Sequence, residues 1–398
     1  MFGCPKKLVR VLWEITRQCN AKCIHCYSDS GAHQTSAFTK DLAYSVAQQL
    51  VDLKCAELTF TGGEFFLYPH WKELLHFFKG KNIQTALVTN GLLVSDNILD
   101  ILKSAGVAGI GVSIDGSNAH THDTIRQTPG CFDKAVKTIQ NAQSKKIPAT
   151  AITTINKLNI TELKDLRNFL VQHGFRTWQI QPCVLSGRMN KDLCIDAFGF
   201  YIMGLFHAQT SRLYPDNRLK IIGSPPMGFY SKTIPAPFLK KCWTGCTAGK
   251  IDLGIRANGD VVGCVSYFNN GRTEGNVKDS SLTDILKNKD FCGWNRRLTH
   301  FKNLTGFCKK CPYSVLCLGG CPVYTDTQKH CYYAIERKWK ETPADTPQDK
   351  ILQALTQGHM NPNGNFYLKD NTQITNAFID SLDLDEYHQN ILKIIALK

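Results

Sequence analysis

No run of about eighteen uninterrupted apolar residues occurs in the 398-residue chain, so no segment reads as a membrane-spanning helix. The N-terminus carries Lys6, Lys7 and Arg10 but lacks the apolar core and small-residue cleavage site of a secretory signal, and a cytoplasmic location is expected. No internal repeat of solenoid period is present. Acidic residues are few: 33 Asp and Glu against 47 Lys and Arg leave a formal charge of +14. The basic residues are nonetheless scattered, with no dense Lys/Arg run, so a nucleic-acid partner is not expected, whereas an acidic peptide is compatible. Apolar residues at 43% and charged residues at 20% match ordinary globular proteins, which excludes a disordered or fibrous chain.

Cysteine is the residue in excess, with 17 in the chain. A cytosolic chain keeps its thiols reduced and has no structural use for so many. The odd count also speaks against a complete disulfide framework, so metal ligation is the expected role. The cysteines are clumped, three within Cys19–Cys26 and five within Cys308–Cys331.

Between residues 8 and 183 short apolar, β-branched runs alternate with longer stretches whose apolar residues recur at three-and-four spacing, the pattern of βα units around a parallel sheet. Strands are expected at Leu8–Thr16, Glu57–Thr61, Gln84–Thr89, Gly109–Ile114, Ala149–Ile155 and Thr177–Gln181. Helices are expected at Asp41–Lys54, Trp71–Lys79, Asp96–Ser104, Phe132–Ser144 and Leu163–His173. The pattern predicts an α/β fold, a partial (β/α)6 barrel over residues 1–183, with the chemistry beyond the C-terminal strand ends. Residues 184–241 read as a Pro- and Gly-rich connection with a helix around Ala197–Gln209. Residues 242–331 form a cysteine-rich module with a hairpin of Ile251–Arg256 and Val261–Val265 about Asn258-Gly259. Residues 332–398 read as a linker, Glu341–Asp349, and a mostly polar tail ending in the amphipathic Tyr387–Leu397.

After the first strand, Cys19-Asn20-Ala21-Lys22-Cys23-Ile24-His25-Cys26 puts three thiolates on one loop with no fourth nearby. Structural zinc closes with four ligands. A cubane iron–sulfur core held by three cysteines instead keeps one iron open for a ligand. This triplet in this position resembles the radical S-adenosylmethionine (SAM) superfamily. The resemblance implies that the open iron chelates the amino and carboxylate groups of SAM, and that the reduced cluster cleaves SAM to a 5′-deoxyadenosyl radical that abstracts a substrate hydrogen.

Strand two ends in Thr61-Gly62-Gly63-Glu64, similar to the family's GGE motif at the SAM amino group, with Phe65 where the family usually has proline. Glycines let backbone approach a ligand closely, and Glu64 can accept hydrogen bonds from an ammonium. Asn90 after strand three, and Ser113, Asp115 and Arg126 around the end of strand four, resemble further family contacts. The resemblance assigns Ser113 and Arg126 to the SAM carboxylate, Asp115 or Asn90 to the ribose hydroxyls, and Tyr27, beside Cys26, to the adenine.

The C-terminal half reads Cys246-x12-Gly259-x4-Cys264, then Cys308-x2-Cys311-x5-Cys317-x3-Cys321, then Cys331, with Cys242 just before Cys246. This spacing is similar to the SPASM domain, the cluster-binding extension of peptide-modifying radical SAM enzymes. The resemblance implies two auxiliary clusters, one on Cys242, Cys246, Cys264 and Cys321 and one on Cys308, Cys311, Cys317 and Cys331, so that three [4Fe–4S] clusters are expected together with SAM. Held by eleven thiolates, they would lower the formal charge of +14 to roughly +9. Two zinc sites on the same thiolates are the alternative. Cys4, Cys55, Cys131, Cys183, Cys194 and Cys292 read mostly as buried apolar residues, with Cys183 able to face the active site from the end of strand six.

A two-cluster module implies a peptide or protein substrate, and the favoured reaction is a thioether, carbon–carbon or similar crosslink in a ribosomally made precursor peptide. In the sulfatase maturases an Asp follows the cysteine after the Gly-x4 step. Val265 stands there in this chain, and neither it nor Ser266 is a competent base, which makes sulfatase-type oxidation the less favoured protein chemistry; Asp260 is the nearby carboxylate. Cluster reduction implies an electron donor such as a flavodoxin or ferredoxin. Because the first strand starts near residue 8, no peptide-recognition domain is expected ahead of the barrel, and leader binding is expected to use other surfaces or a separate protein. The context Trp13-Glu14-Ile15-Thr16-Arg17 also resembles radical SAM enzymes acting on a tetrapyrrole or other small molecule. A zinc-binding nucleic-acid-binding protein is the non-enzyme alternative.

Overall fold

The structure, a computed structural model, describes residues 8–33, 36–214, 216, 218–224, 227, 230–234, 245–267, 273–324, 330–341 and 343–396. Six strands lie where the alternation puts them: β1 (Arg10–Thr16), β2 (Glu57–Gly62), β3 (Gln84–Thr89), β4 (Gly109–Ser113), β5 (Ala149–Ile155) and β6 (Thr177–Pro182). They run parallel and neighbour one another in chain order. The connecting helices are α1 (Lys40–Asp52), α2 (Trp71–Phe78), α3 (Asp96–Ser104), α4 (Ala119–Arg126), α5 (Cys131–Ser144) and α6 (Leu163–Gln172). Thr39, Ser95 and Asn118 cap α1, α3 and α4 by accepting the N–H of Leu42, Ile98 and Thr121. Helix α4 escapes the periodicity because Ala119–Arg126 is mostly polar; the Asn118 cap marks its start.

The two faces of each strand part ways. Trp13, Leu58, Phe60, Leu87, Ile155, Trp178 and Ile180 are buried in the apolar core. Their alternating neighbours Leu12, Thr59, Thr61, Val88, Ile152, Thr154, Gln179 and Gln181 line a cavity. The period of two in each strand therefore carries both the core and the wall of the site.

Beyond β6 comes α7 (Ala197–Leu213), capped by Asp196 and buried from Phe198 through Thr210. The short β7 (Lys220–Gly223), hidden in the Pro-rich connection, adds to the sheet parallel to β6. The expected hairpin forms from β8 (Asp252–Ile255) and β9 (Asp260–Val262) around Gly259 at φ +93°. Strand β9 stops short of Val265, and a turn in which the Tyr267 N–H bonds the Cys264 carbonyl at 3.2 Å carries Cys264 off the strand. Strand β8 lies parallel to β1, with Arg10 Nε 2.7 Å from Asp252 Oδ1. With β10 (Gly275–Asn276) the result is one sheet of ten strands, in the order β10-β9-β8-β1-β2-β3-β4-β5-β6-β7.

Short helices follow, α8 (Leu282–Lys287), α9 (Arg297–Lys302), α10 (Gly306–Lys310) and α11 (Ser314–Cys317), and then α12 (Tyr332–Glu341), α13 (Pro347–Thr356), α14 (Asn376–Asp380) and α15 (Glu386–Lys393). The C-terminal extension is less of a polar tail than its composition suggests. Ile391, Leu392, Ile394 and Ile395 are buried, Gln209 Nε2 of α7 donates to the Ile395 carbonyl at 3.1 Å, and Lys164 Nζ of α6 to the Ala396 carbonyl at 3.0 Å. The helix Glu386–Lys393 thus docks its apolar side on the barrel's helical layer. No helix among the described residues is long and apolar enough to cross a membrane.

Candidate active site

The cavity of about 440 Å³ opens at the C-terminal ends of the parallel strands and is lined by Cys19, Cys23 and Cys26 on one side. Two arginines shape the loop that carries these thiols. Arg17 Nη2 donates to the Ser28 carbonyl at 2.6 Å, and Arg188 reaches the Cys23 carbonyl with Nε at 3.0 Å and the Ser30 carbonyl with Nη1 at 2.7 Å. The backbone N–H of Ser30 points at Cys26 Sγ at 3.4 Å, and Arg126 Nη1 lies 3.5 Å from Cys23 Sγ. Burial, with the charges of Glu64, Cys23 and Cys26, pushes the Cys19 thiol up to about 11. Among the described residues no group of three or more His, Cys, Asp or Glu closes round a point fit for a single metal ion. The three sulfurs instead share a cavity wall, a donor set that fits a multi-iron core with an open side.

Of the residues expected at SAM, Tyr27, Gly62, Gly63, Asn90, Ser113 and Arg126 line this cavity. Gly62 and Gly63 are needed for a close approach of backbone to backbone: a Cβ on either would sit 2.2 Å from the Thr16 carbonyl or 2.1 Å from that of Gln18. The Tyr27 hydroxyl donates to Glu14 Oε1 at 2.7 Å. Asn90 Nδ2 bonds Asn20 Oδ1 at 2.8 Å.

Glu64 and Asp115 lie behind this wall. Glu64 is fully buried and accepts from Thr89 Oγ1 at 2.8 Å and from the Asn90 N–H at 2.9 Å. Burial raises its carboxyl to about 7. Asp115 accepts from Arg126 Nε at 2.6 Å and from the Thr154 N–H at 2.8 Å. Burial alone would raise the Asp115 carboxyl, yet Arg126, His25 and His122 together hold it below its usual value.

Sequence reasoning missed His25, inside the cysteine triplet. It lines the cavity with Nδ1 unpartnered and Nε2 3.6 Å from Asp115 Oδ2, and burial lowers it to about 4, a neutral imidazole. It missed Thr154, Gln179 and Gln181 as well, for which strand alternation was the available signal. Gln179 Nε2 approaches Gln181 Oε1 at 3.4 Å, and Gln181 Nε2 donates to Thr154 Oγ1 at 3.2 Å. Cys183 does face the cavity, and Ser266 and Val323 reach it from the cysteine-rich segment.

Most of the remaining thiols among the described residues gather in two places. Cys308, Cys311, Cys317 and Cys331 line a hollow of about 30 Å³ with Tyr230, Tyr313 and Tyr333. Burial and the charges of Cys331, Cys308 and Cys311 all push the Cys317 thiol up. Cys321 borders the same hollow, yet it is raised to about 12 by burial and by Cys246 and Cys264. Cys246, Cys264 and Cys321 thus make a second group. Cys242 and Cys4 lie outside the described residues. Cys292 is buried beside Cys246 and Cys264, with its backbone N–H bonded to Glu274 Oε2 at 2.7 Å. Seven thiols in two groups, among the described residues, are a donor set that suits iron–sulfur cores.

Two family models match the chain. The model of the Radical SAM superfamily matches residues 13–170, and that of SPASM, an iron–sulfur cluster-binding domain, matches residues 246–312. The chain is 25% identical over 351 residues to an AdoMet-dependent heme synthase of Methanosarcina barkeri, covering 82% of this chain and 97% of the relative. It is 26% identical over 319 residues to the antilisterial bacteriocin subtilosin biosynthesis protein AlbA of Bacillus subtilis, covering 78% and 66%. Streptococcus suis SuiB bound to S-adenosylmethionine has a similar fold, with a TM-score of 0.66 at 15% identity over 82% of this chain and 77% of that one.

Proposed function

Because this chain belongs to the radical SAM superfamily and carries a SPASM iron–sulfur cluster-binding domain, we propose that it is a peptide maturase that installs a crosslink, such as a thioether or carbon–carbon bond, in a ribosomally made precursor. The proposal includes three [4Fe–4S] clusters: one on Cys19, Cys23 and Cys26, one on Cys242, Cys246, Cys264 and Cys321, and one on Cys308, Cys311, Cys317 and Cys331. SAM, when bound, supplies the adenosyl radical that takes a hydrogen atom from the substrate. The chain's own part is to bind and orient. Ser113 and Arg126 receive the SAM carboxylate, Gly62 and Gly63 let the chain pass close to the amino group, Asn90 meets the ribose, and Tyr27 and His25 border the adenine. Glu64 and Asp115 hold Asn90 and Arg126 in position from behind. An electron donor of the flavodoxin or ferredoxin type and a separate peptide-recognition protein are the proposed partners.

The observation that carries the peptide reading is the neutrality of the cavity wall. Thr59, Thr61, Thr154, Gln179, Gln181 and Ser266 offer carboxamides and hydroxyls, groups that pair with peptide amides. Arg126 is the one Lys or Arg among the described lining residues, and Asp115 already engages it. A tetrapyrrole bearing several carboxylates calls for more cations.

The test is anaerobic incubation of cluster-loaded protein with SAM, reductant and either a short precursor peptide, sought among the neighbouring reading frames, or Fe-coproporphyrin III, followed by mass spectrometry. A peptide lighter by two hydrogens, with the porphyrin unchanged, is expected. Loss of carbon dioxide from the porphyrin overturns the peptide reading.

A further inference from the structure

The helices that carry Cys308 and Cys317 present a surface charged with one sign. From Phe291 to Tyr324 the chain has five Lys and Arg, namely Arg296, Arg297, Lys302, Lys309 and Lys310, and no Asp or Glu. All five are exposed, and none forms an ion pair with an Asp or Glu among the described residues. Large apolar side chains are exposed in the same stretch: Phe301 at 44%, Val315 at 56% and Leu316 at 44%. Arg297 Nη2 of α9 donates to the Val315 carbonyl of α11, so the two helices meet, and Phe301 lies one turn past Arg297 on the same side of α9. Lys309 and Lys310 lie between Cys308 and Cys311, and Val315 and Leu316 directly precede Cys317. Cys308, Cys311, Cys317 and Cys331 are themselves partly exposed, so this face covers the hollow they line.

We propose that this face docks a small acidic protein carrying a one-electron centre. One electron passes between that centre and the core on Cys308, Cys311, Cys317 and Cys331; one is oxidised as the other is reduced, and no bond forms or breaks. The inference rests on reading those four thiols as ligands of an iron–sulfur core.

Unpaired cations around an apolar centre attract an acidic partner and steer its approach. An apolar centre of three side chains suits the small interface of a transient redox encounter. A second copy of this chain, docked through the same patch, sets cations against cations. A phosphate backbone calls for cations throughout rather than an apolar centre. A substrate has to reach the active-site cavity, and none of these surface residues lines it.

The test uses the full-length, cluster-loaded protein with flavodoxin, an acidic flavoprotein, as the probe, and stopped-flow flavin fluorescence to follow association against salt concentration. The wild-type rate is expected to fall steeply as salt rises. Arg296→Glu combined with Lys302→Glu, and separately Val315→Asp, are expected to slow association roughly tenfold at low salt. Iron content and dithionite-driven SAM cleavage are expected to stay at wild-type values in both, and reduced flavodoxin to lose its electron to them more slowly. Unchanged flavodoxin association in both variants overturns the proposal, and a polyglutamate peptide that alone loses affinity in them gives the face to a peptide instead. Cys317→Ala with the full iron content of wild type overturns the cluster reading, and the electron transfer with it, an outcome distinct from unchanged association.

Discussion

The Glu64 carboxylate accepts the backbone N–H of Asn90 at 2.9 Å. The glutamate two residues past β2 therefore braces the loop that follows β3, and the Thr89 hydroxyl donates to its other oxygen. Two strand ends are fastened together behind the cavity by one buried acid.

That buried acid makes a pH prediction. Its carboxyl is raised from 4.5 to about 7 in the folded protein, so the folded state binds this proton more tightly than the unfolded chain does. The stabilisation is present at low pH and is lost as pH rises from about 4.5 to about 7, a change of about 3 kcal/mol. Glu64→Gln lacks the titration. The melting temperature of the variant relative to wild type, followed against pH in cluster-free protein, is expected to climb across that window; a flat difference rules the assignment out.

Arg126 is expected to resist replacement by lysine. Its guanidinium spans Asp115 Oδ2, 2.6 Å from Nε, and Cys23 Sγ, 3.5 Å from Nη1, and a single ammonium cannot bridge both and still face a carboxylate. Arg126→Lys should retain its iron and bind SAM roughly tenfold to a hundredfold more weakly, a loss on the order of 1–3 kcal/mol. Equilibrium dialysis with SAM measures it, and wild-type affinity would remove Arg126 from the SAM site.

Iron counting tests the grouping of the auxiliary thiols. Cys317→Ala and Cys321→Ala should each lose one cluster's iron while some SAM cleavage persists. The pair Cys321→Ala with Cys264→Ala should lose no more than either alone, because both serve one core. Cys321→Ala with Cys317→Ala should lose two clusters' worth. The reverse pattern would exchange the assignments.

No formylglycine is expected in a sulfatase-motif peptide. Val265 is buried against Gly254, and the Asp260 carboxylate is held by Asn276 Nδ2 at 2.9 Å and Asn258 Nδ2 at 2.7 Å in the hairpin turn. No Asp or Glu lines the cavity among the described residues, so a carboxylate base is not at hand. Mass spectrometry of such a peptide after incubation with SAM and reductant should find no new carbonyl; a loss of two hydrogens with a carbonyl formed would contradict the prediction.

What the sequence by itself determined is local. Strand positions follow from alternation over five to seven residues, and the Cys19, Cys23 and Cys26 spacing confines three thiols to one short loop, so both were legible without a fold. The hairpin at Asn258-Gly259 was legible for the same reason, since a positive φ at Gly259 is a demand made by a few adjacent residues.

Only the tertiary structure decided which distant groups meet. Cys321 stands four residues from Cys317 yet feels Cys246 and Cys264, because Leu318, Gly319 and Gly320 all take a positive φ and turn the chain between them. Glu64 and Asp115 sit in motifs that suggest ligand contacts, but the pairing of β2 with β3 and of β4 with β5 turns their carboxylates onto Asn90 and Arg126. The placement of strand β8 beside β1 is likewise long-range. Spacing along a chain constrains only neighbours, whereas burial and the pairing of buried polar groups are settled by whichever segments the folded core brings into contact.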